Sequence, residues 1–128
     1  RCIGCRYCQM ACPYQARAFN WEEFDGDNPA VPDFGKPEVE RRPRGVVEKC
    51  SFCYHRIDRG LEHGMTPGVD TFASPACVVT CPVDARMFGD LNDPHSNVSE
   101  TLENNAYFQL RPDMGNDTRV YYLPARDA

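Results

Sequence analysis

Residues 2–13 read CIGCRYCQMACP, in which four cysteines are separated by two, two and three residues and the last is followed by proline. A second group holds the other four cysteines of the chain, at positions 50, 53, 77 and 81, and also ends in Cys-Pro. Residues 8–19 align without gaps with residues 77–88, with six identities in the twelve positions. Identity at one fixed offset indicates a supersecondary unit that is used twice.

The spacing of the first group is typical of iron–sulfur ligands. In the C-x2-C-x2-C-x3-C-P pattern, three thiolates bind one cluster and the fourth binds a second cluster. Thiolates are soft ligands that suit this chemistry, and the proline ends the helical turn because it lacks an N–H group. We therefore predict that all eight cysteines bind the iron of [4Fe–4S] clusters, namely Cys2, Cys5, Cys8, Cys12, Cys50, Cys53, Cys77 and Cys81.

Three other roles for the cysteines compete with this prediction. Structural zinc is the strongest, since paired C-x2-C units also form four-cysteine zinc sites, but such a site does not explain the continuous triplet with its Cys-Pro end. Disulfides are disfavoured because cysteines so closely spaced cannot all pair sensibly. A Rieske centre needs two histidine ligands, whereas His55, His63 and His95 are interpreted as surface residues.

Composition narrows the function further. The 128 residues predict one domain or two small half-modules. The hydrophobic core of so small a chain is thin and often needs stabilisation by disulfides or metal centres. The net charge of −5 argues against nucleic-acid binding, and no run of 18 apolar residues predicts a membrane-spanning helix. No serine–histidine constellation, paired-carboxylate site or glycine-rich phosphate loop is evident, so we expect no catalytic site.

The chain is divided into four segments by its motifs: a first cysteine group at 1–19, a loop insertion at 20–48, a second cysteine group at 49–89 and an extension at 90–128. Each cysteine group predicts a helical turn that carries its last two cysteines, then a short strand through Phe19 or Phe88. We further predict a loop at 60–76, a helix over 98–104 capped by Ser96 or Asn97, and strands at 106–110 and 119–123 around a turn at 112–117.

Arg17 and Arg86 occupy matching places in the repeat. An oxidised cube with four thiolates carries a charge of about −2. The two arginines are placed to offset this charge and raise the cluster potential. Salt bridging at the surface is the alternative.

Five stretches make the chain resemble a known family: CIGCRYCQMACPY at 2–14, GVVEKCSFC at 45–53, PACVVTCP at 75–82, FGDLNDP at 88–94 and VYYLP at 120–124. The family is the iron–sulfur subunits of complex iron–sulfur molybdoenzymes, of the dimethyl sulfoxide, polysulfide, tetrathionate and nitrate reductase type. Related subunits occur in the membrane complex of dissimilatory sulfite reductase and in alternative complex III. The resemblance implies an α+β, ferredoxin-like fold with duplicated 4Fe-4S binding units and long loop insertions.

The resemblance also implies a function and partners. The chain would relay electrons between a molybdopterin-containing catalytic subunit and a quinone-interacting membrane subunit. It would be membrane-associated through these partners, with the periplasmic side favoured over the cytoplasmic. A free two-cluster ferredoxin is the alternative, although it would need neither the 20–48 insertion nor the 90–128 extension, which we expect to dock partner subunits.

Two pairings of the cysteines remain open. Members of the family usually hold four cysteine groups in two modules, and the two groups here resemble the third and fourth. Each group would then share clusters with cysteines outside this chain, which would be the C-terminal part of the subunit. In the self-contained pairing, Cys81 completes the cluster of the first triplet and Cys12 completes that of Cys50, Cys53 and Cys77. Some relatives replace the second cysteine of the third group and hold a three-iron cluster, so Cys5 predicts a four-iron cluster.

Overall fold

The computed structural model describes residues 2–23, 26 and 42–125. The chain divides into two compact units, Arg1–Cys50 and Ser51–Ala128. The boundaries of the four predicted segments stay predictions. Most of the predicted 20–48 insertion lies outside the described residues.

The first unit is built around a short helix and a two-stranded sheet. Helix α1 spans Tyr7–Ala11 and ends at Cys12, before the helix-breaking proline. Strands β1 (Ala18–Phe19) and β2 (Val47–Glu48) pair antiparallel, with Phe19 opposite Val47. The predicted strand through Phe19 is thus confirmed, and its partner β2 comes from the far end of the predicted insertion.

The second unit contains three α-helices within its described residues: α2 (Tyr54–Glu62), α3 (Ala76–Val79) and α4 (Asn97–Asn104). Short 3-10 turns lie at Thr71–Ala73 and Pro112–Met114. The predicted loop at 60–76 is wrong at its start, because residues 60–62 continue α2. This helix escaped prediction because Ile57 and Leu61 are its only aliphatic residues, too few for a clear helical period.

A small-residue contact forms the core of the second unit. Ala73 and Ser74 are buried beneath α2, and a Cβ on Gly60 would overlap the Ala73 side chain, so the helix approaches as closely as glycine permits. Arg56 fastens the same contact, since its guanidinium donates to the carbonyls of Thr71 at 2.7 Å and Ser74 at 2.8 Å. These contacts therefore fix the position of the segment that precedes α3, the helix that carries Cys77.

The helix predicted near residue 98 is confirmed as α4. Ser96 is its N-cap, and its hydroxyl accepts a hydrogen bond from the Ser99 N–H at 3.3 Å. This satisfies one of the backbone donors that a helix start leaves unpaired. Of the two capping residues predicted, Ser96 is the one that caps, and Asn97 is the first residue of the helix.

Three predicted strands are not present. Residues 106–110 and 119–123 meet only at an isolated bridge, where Phe108 and Tyr122 exchange two backbone hydrogen bonds of 2.9 Å. Stacking of the two rings, with centroids 5.4 Å apart, supports this pair. A lone hairpin without further strands is marginal. Phe88 also lies outside any strand, and its carbonyl is approached closely by Gly68.

We expect Gly68→Ala to destabilise the protein more than Gly64→Ala. Both glycines have positive φ, +89° and +71°, so alanine would cost about 1–2 kcal/mol at either site. A Cβ at Gly68 would also overlap the Phe88 carbonyl oxygen, while at Gly64 it would meet open space. That overlap should lower the free energy of unfolding by about 1–3 kcal/mol more. Thermal unfolding of the cluster-loaded protein measures the difference. Equal losses in the two variants would contradict the close contact.

Candidate iron–sulfur site

All eight cysteines lie in the described part of the chain, and none of them forms a disulfide there. Cys2, Cys5, Cys50 and Cys77 are exposed, and Cys8, Cys12, Cys53 and Cys81 are half-buried. No disulfide therefore competes with ligand binding at any of the predicted ligands. Each thiol remains accessible to a group that would bind it.

Backbone geometry prepares Cys2 to act as a thiolate. Its Sγ accepts hydrogen bonds from the Val47 N–H at 3.3 Å and the Gly4 N–H at 3.4 Å. The Val47 N–H, followed by that of Gly4, lowers the pKa of the Cys2 thiol. Gly4 can donate because its φ is +74°, and a Cβ there would overlap the Gly45 carbonyl. The β1–β2 sheet thus holds the first cysteine loop.

Cys12 and Cys81 lie in turns that share the same backbone features. Three residues after each cysteine, Gln15 and Asp84 adopt left-handed conformations with φ of 51° and 50°. The N–H of the following alanine is directed at the sulfur, and the Ala85 N–H lies 3.3 Å from the Cys81 Sγ. These alanine N–H groups are the main cause that lowers the pKa of each cysteine.

Two cysteines of the second group, Cys53 and Cys77, lie at the N-terminal ends of helices. Phe52 and Cys53 both have left-handed backbones, and Cys53 forms the N-cap of α2. Gly4, which precedes Cys5 as Phe52 precedes Cys53, is left-handed too. Cys77 lies on α3, directly after the buried segment packed against α2. The two C-x2-C loops therefore share one left-handed position.

The hydrogen-bond donors around the cysteines suit iron–sulfur chemistry. No group of three or more Cys, His, Asp or Glu side chains within the described ranges is close enough to hold one ion. Accessible thiols that accept backbone N–H bonds match this chemistry, because such bonds stabilise the thiolate and tune the cluster.

An aromatic contact beside the first group was not predicted from the sequence. The Arg6 guanidinium lies 4.7 Å from the Trp21 ring centroid and 5.3 Å from that of Phe19. The two rings meet edge to face at 4.6 Å. Cation–π contacts of this kind help fix the loop between Cys5 and Cys8. Trp21 is the only tryptophan of the chain, but it belongs to none of the motifs.

Comparison with known proteins identifies the family and its cofactor. A family model described as "4Fe-4S dicluster domain" matches residues 1–85. The chain belongs to this family. This match confirms the predicted [4Fe–4S] cofactors. It also shows that the fold is of the 4Fe-4S dicluster, ferredoxin type. Within the described residues, no helix is both long and apolar enough to cross a membrane.

Three curated relatives cover nearly the whole of this 4Fe-4S dicluster chain. A Halobacterium salinarum protein, named as an iron–sulfur subunit of dimethyl sulfoxide reductase, is 46% identical over 96% of this chain and 41% of its own length. The menaquinone reductase iron–sulfur cluster-binding subunit of Nitratidesulfovibrio vulgaris is 43% identical, over 99% and 52% respectively. The Hdr-like menaquinol oxidoreductase iron–sulfur subunit 1 of Archaeoglobus fulgidus is 44% identical, over 95% and 43%.

These relatives confirm the predicted resemblance to iron–sulfur subunits of molybdoenzyme-type reductases. The B subunit of the tetrathionate reductase of Salmonella typhimurium, 35% identical, is a further member of the set. The chain spans about half the length of the curated relatives it matches.

Proposed function

We propose that the chain transfers electrons as the iron–sulfur subunit of a membrane-associated reductase. It relays them between a molybdopterin-containing catalytic subunit and a quinone-linked membrane subunit. One observation carries the proposal: a 4Fe-4S dicluster domain with eight cysteines matches iron–sulfur subunits of reductases and of quinone oxidoreductases. Bound [4Fe–4S] clusters accept and release single electrons.

All eight cysteines are the proposed ligands. Support comes from the N–H donors aimed at Cys2, Cys12 and Cys81, which stabilise a thiolate in advance of binding. The proposal holds for both pairings, the self-contained one and the one shared with cysteines outside this chain. In both, the first three cysteines of each group bind one cluster and the fourth binds another.

The proposed fold contains duplicated 4Fe-4S binding units. Its support is the equivalence of the turns at Cys12 and Cys81, which share the left-handed third residue and the alanine N–H donor. A backbone N–H close to a cluster sulfur stabilises negative charge there. The chain's own contribution is therefore to hold the thiolates, supply these donors and set the potential.

Residues 90–128 are the proposed docking segment for a partner subunit of the same complex. The described part of this segment exposes about half of the side-chain surface of Tyr107 and Phe108. It also lines a groove of about 510 Å³ in the second unit, together with residues near Phe88. Membrane association through such partners, on the periplasmic side, completes the proposal.

The experiment measures iron and acid-labile sulfide in the anaerobically purified whole protein, with EPR after reduction by a quinol. We expect a brown protein whose four-iron signals grow with quinol when the partner subunits are present. Clusters that quinol reduces equally well without any partner would favour the free two-cluster ferredoxin. Colourless protein with zinc and no iron would overturn electron transfer and leave a zinc-stabilised interaction module.

A further inference from the structure

Arg17 and Arg86 follow Cys12 and Cys81 at the same distance in the chain and after the same turn. Each lies directly after the alanine whose N–H group is directed at the cysteine sulfur. The left-handed residue at the third position of each turn reverses the chain toward the sulfur. The two arginines therefore occupy equivalent places beside two ligand sulfurs.

Arg86 is held at this place by a hydrogen bond. Its Nη1 donates to the carbonyl oxygen of Cys77 at 3.4 Å, which holds the guanidinium close to the backbone of this ligand. Arg17 makes no hydrogen bond with any residue that the structure describes. Its charge reaches Cys12 through space alone.

The surface salt-bridge alternative has no support in the described ranges, where neither arginine lies within 4.0 Å of a carboxylate. The ion pair found there joins Arg111 to Asp113 at 3.1 Å. Arg17 and Arg86 instead lie five residues after Cys12 and Cys81, each at the end of the same left-handed turn. Both charges are thus free to act on negative charge at the cysteines.

We propose that Arg17 and Arg86 raise the reduction potentials of the clusters bound through Cys12 and Cys81. The inference rests on the proposed function. A cluster gains one negative charge when it accepts one electron, and a nearby fixed cation stabilises that reduced state more than the oxidised one. Because Arg86 is tethered and Arg17 is not, the effect of Arg86 is the larger.

The test compares R17Q, R86Q and the control R111Q in the whole cluster-loaded protein. EPR-monitored redox titration gives the midpoint potential of each cluster, and iron analysis gives the loading. We expect each glutamine variant to change the oxidised-to-reduced ratio of one cluster threefold to tenfold, where tenfold corresponds to about 59 mV for a one-electron couple. The shift is to lower potential. In the control R111Q the oxidised-to-reduced ratio should change less than twofold, because the charge of Arg111 is already paired with Asp113.

Charge and shape effects are separated by two more variants. R17K keeps the charge and should keep the potential, whereas R17E reverses the charge and should shift the potential about twice as far as R17Q. Unchanged potentials in R17Q with full iron loading would overturn the inference. If R86Q loses iron, the R17 series decides, because Arg17 makes no hydrogen bond within the described residues.

This outcome is distinguishable from a failure of the proposed function. Absence of [4Fe–4S] signals in the unmodified protein would remove the function itself. Intact signals with unshifted potentials would remove only the role of the two arginines.

Discussion

Serine in place of Cys12 or Cys81 should cost the protein one [4Fe–4S] cluster in each case, a loss of about four irons per chain. Serine has nearly the same size but supplies a hard oxygen ligand that is protonated at neutral pH, so it replaces thiolate poorly. Both turns aim backbone N–H groups at the sulfur and remain in place after the substitution. Iron analysis and low-temperature EPR measure the result.

The same variants choose between the open pairings. In the self-contained pairing, C81S removes the EPR signal that C5S removes, and C12S removes the signal that C50S removes. With ligands from outside the chain, C12S and C50S remove different signals. Ser51→Ala is the matched control, since it alters a serine between two ligands without removing one. Full iron content in C12S or C81S would refute the assignment of that cysteine.

Removal of the clusters should unfold the protein. Ala73 is the one hydrophobic residue that is buried among those described, accompanied by Ser74 and Pro75. So little apolar burial cannot offset the conformational entropy of the chain. Cluster binding should therefore supply most of the folding free energy, about 5–15 kcal/mol for a small domain.

Far-UV circular dichroism and limited proteolysis of the whole protein, before and after anaerobic chelation of iron, measure this dependence. We expect the cooperative thermal transition to disappear with the clusters and proteolysis to become at least tenfold faster. Reconstitution with iron and sulfide should restore both. A cluster-free protein that still melts cooperatively at the original temperature would show that the polypeptide core suffices.

The [4Fe–4S] cofactor was predictable from sequence because cysteine spacing is a local property. Cysteines three residues apart return to one side of a tight loop whatever surrounds them, and the Cys-Pro end stops the helix at the same point. Helix α4 was equally local, since Ser96 caps it through a backbone donor three residues away. The repeat relating residues 8–19 to residues 77–88 likewise puts Arg17 and Arg86 at equivalent places on the evidence of the residues alone.

The remaining features depended on contacts between distant residues, which no local pattern records. β2 forms because Val47 meets Phe19, 28 residues away in sequence, and the same approach brings the Val47 N–H to Cys2. The strands expected at 106–110 and 119–123 shrink to one bridge because no neighbouring strand extends the ladder. Arg6 acquires its aromatic partners only when β1 folds beside the cysteine loop. Sequence alone determined the chemistry of the ligands, since thiolate spacing selects the cluster. Tertiary structure decided which backbone donors and cations surround each sulfur, because those distances exist only after the chain has folded.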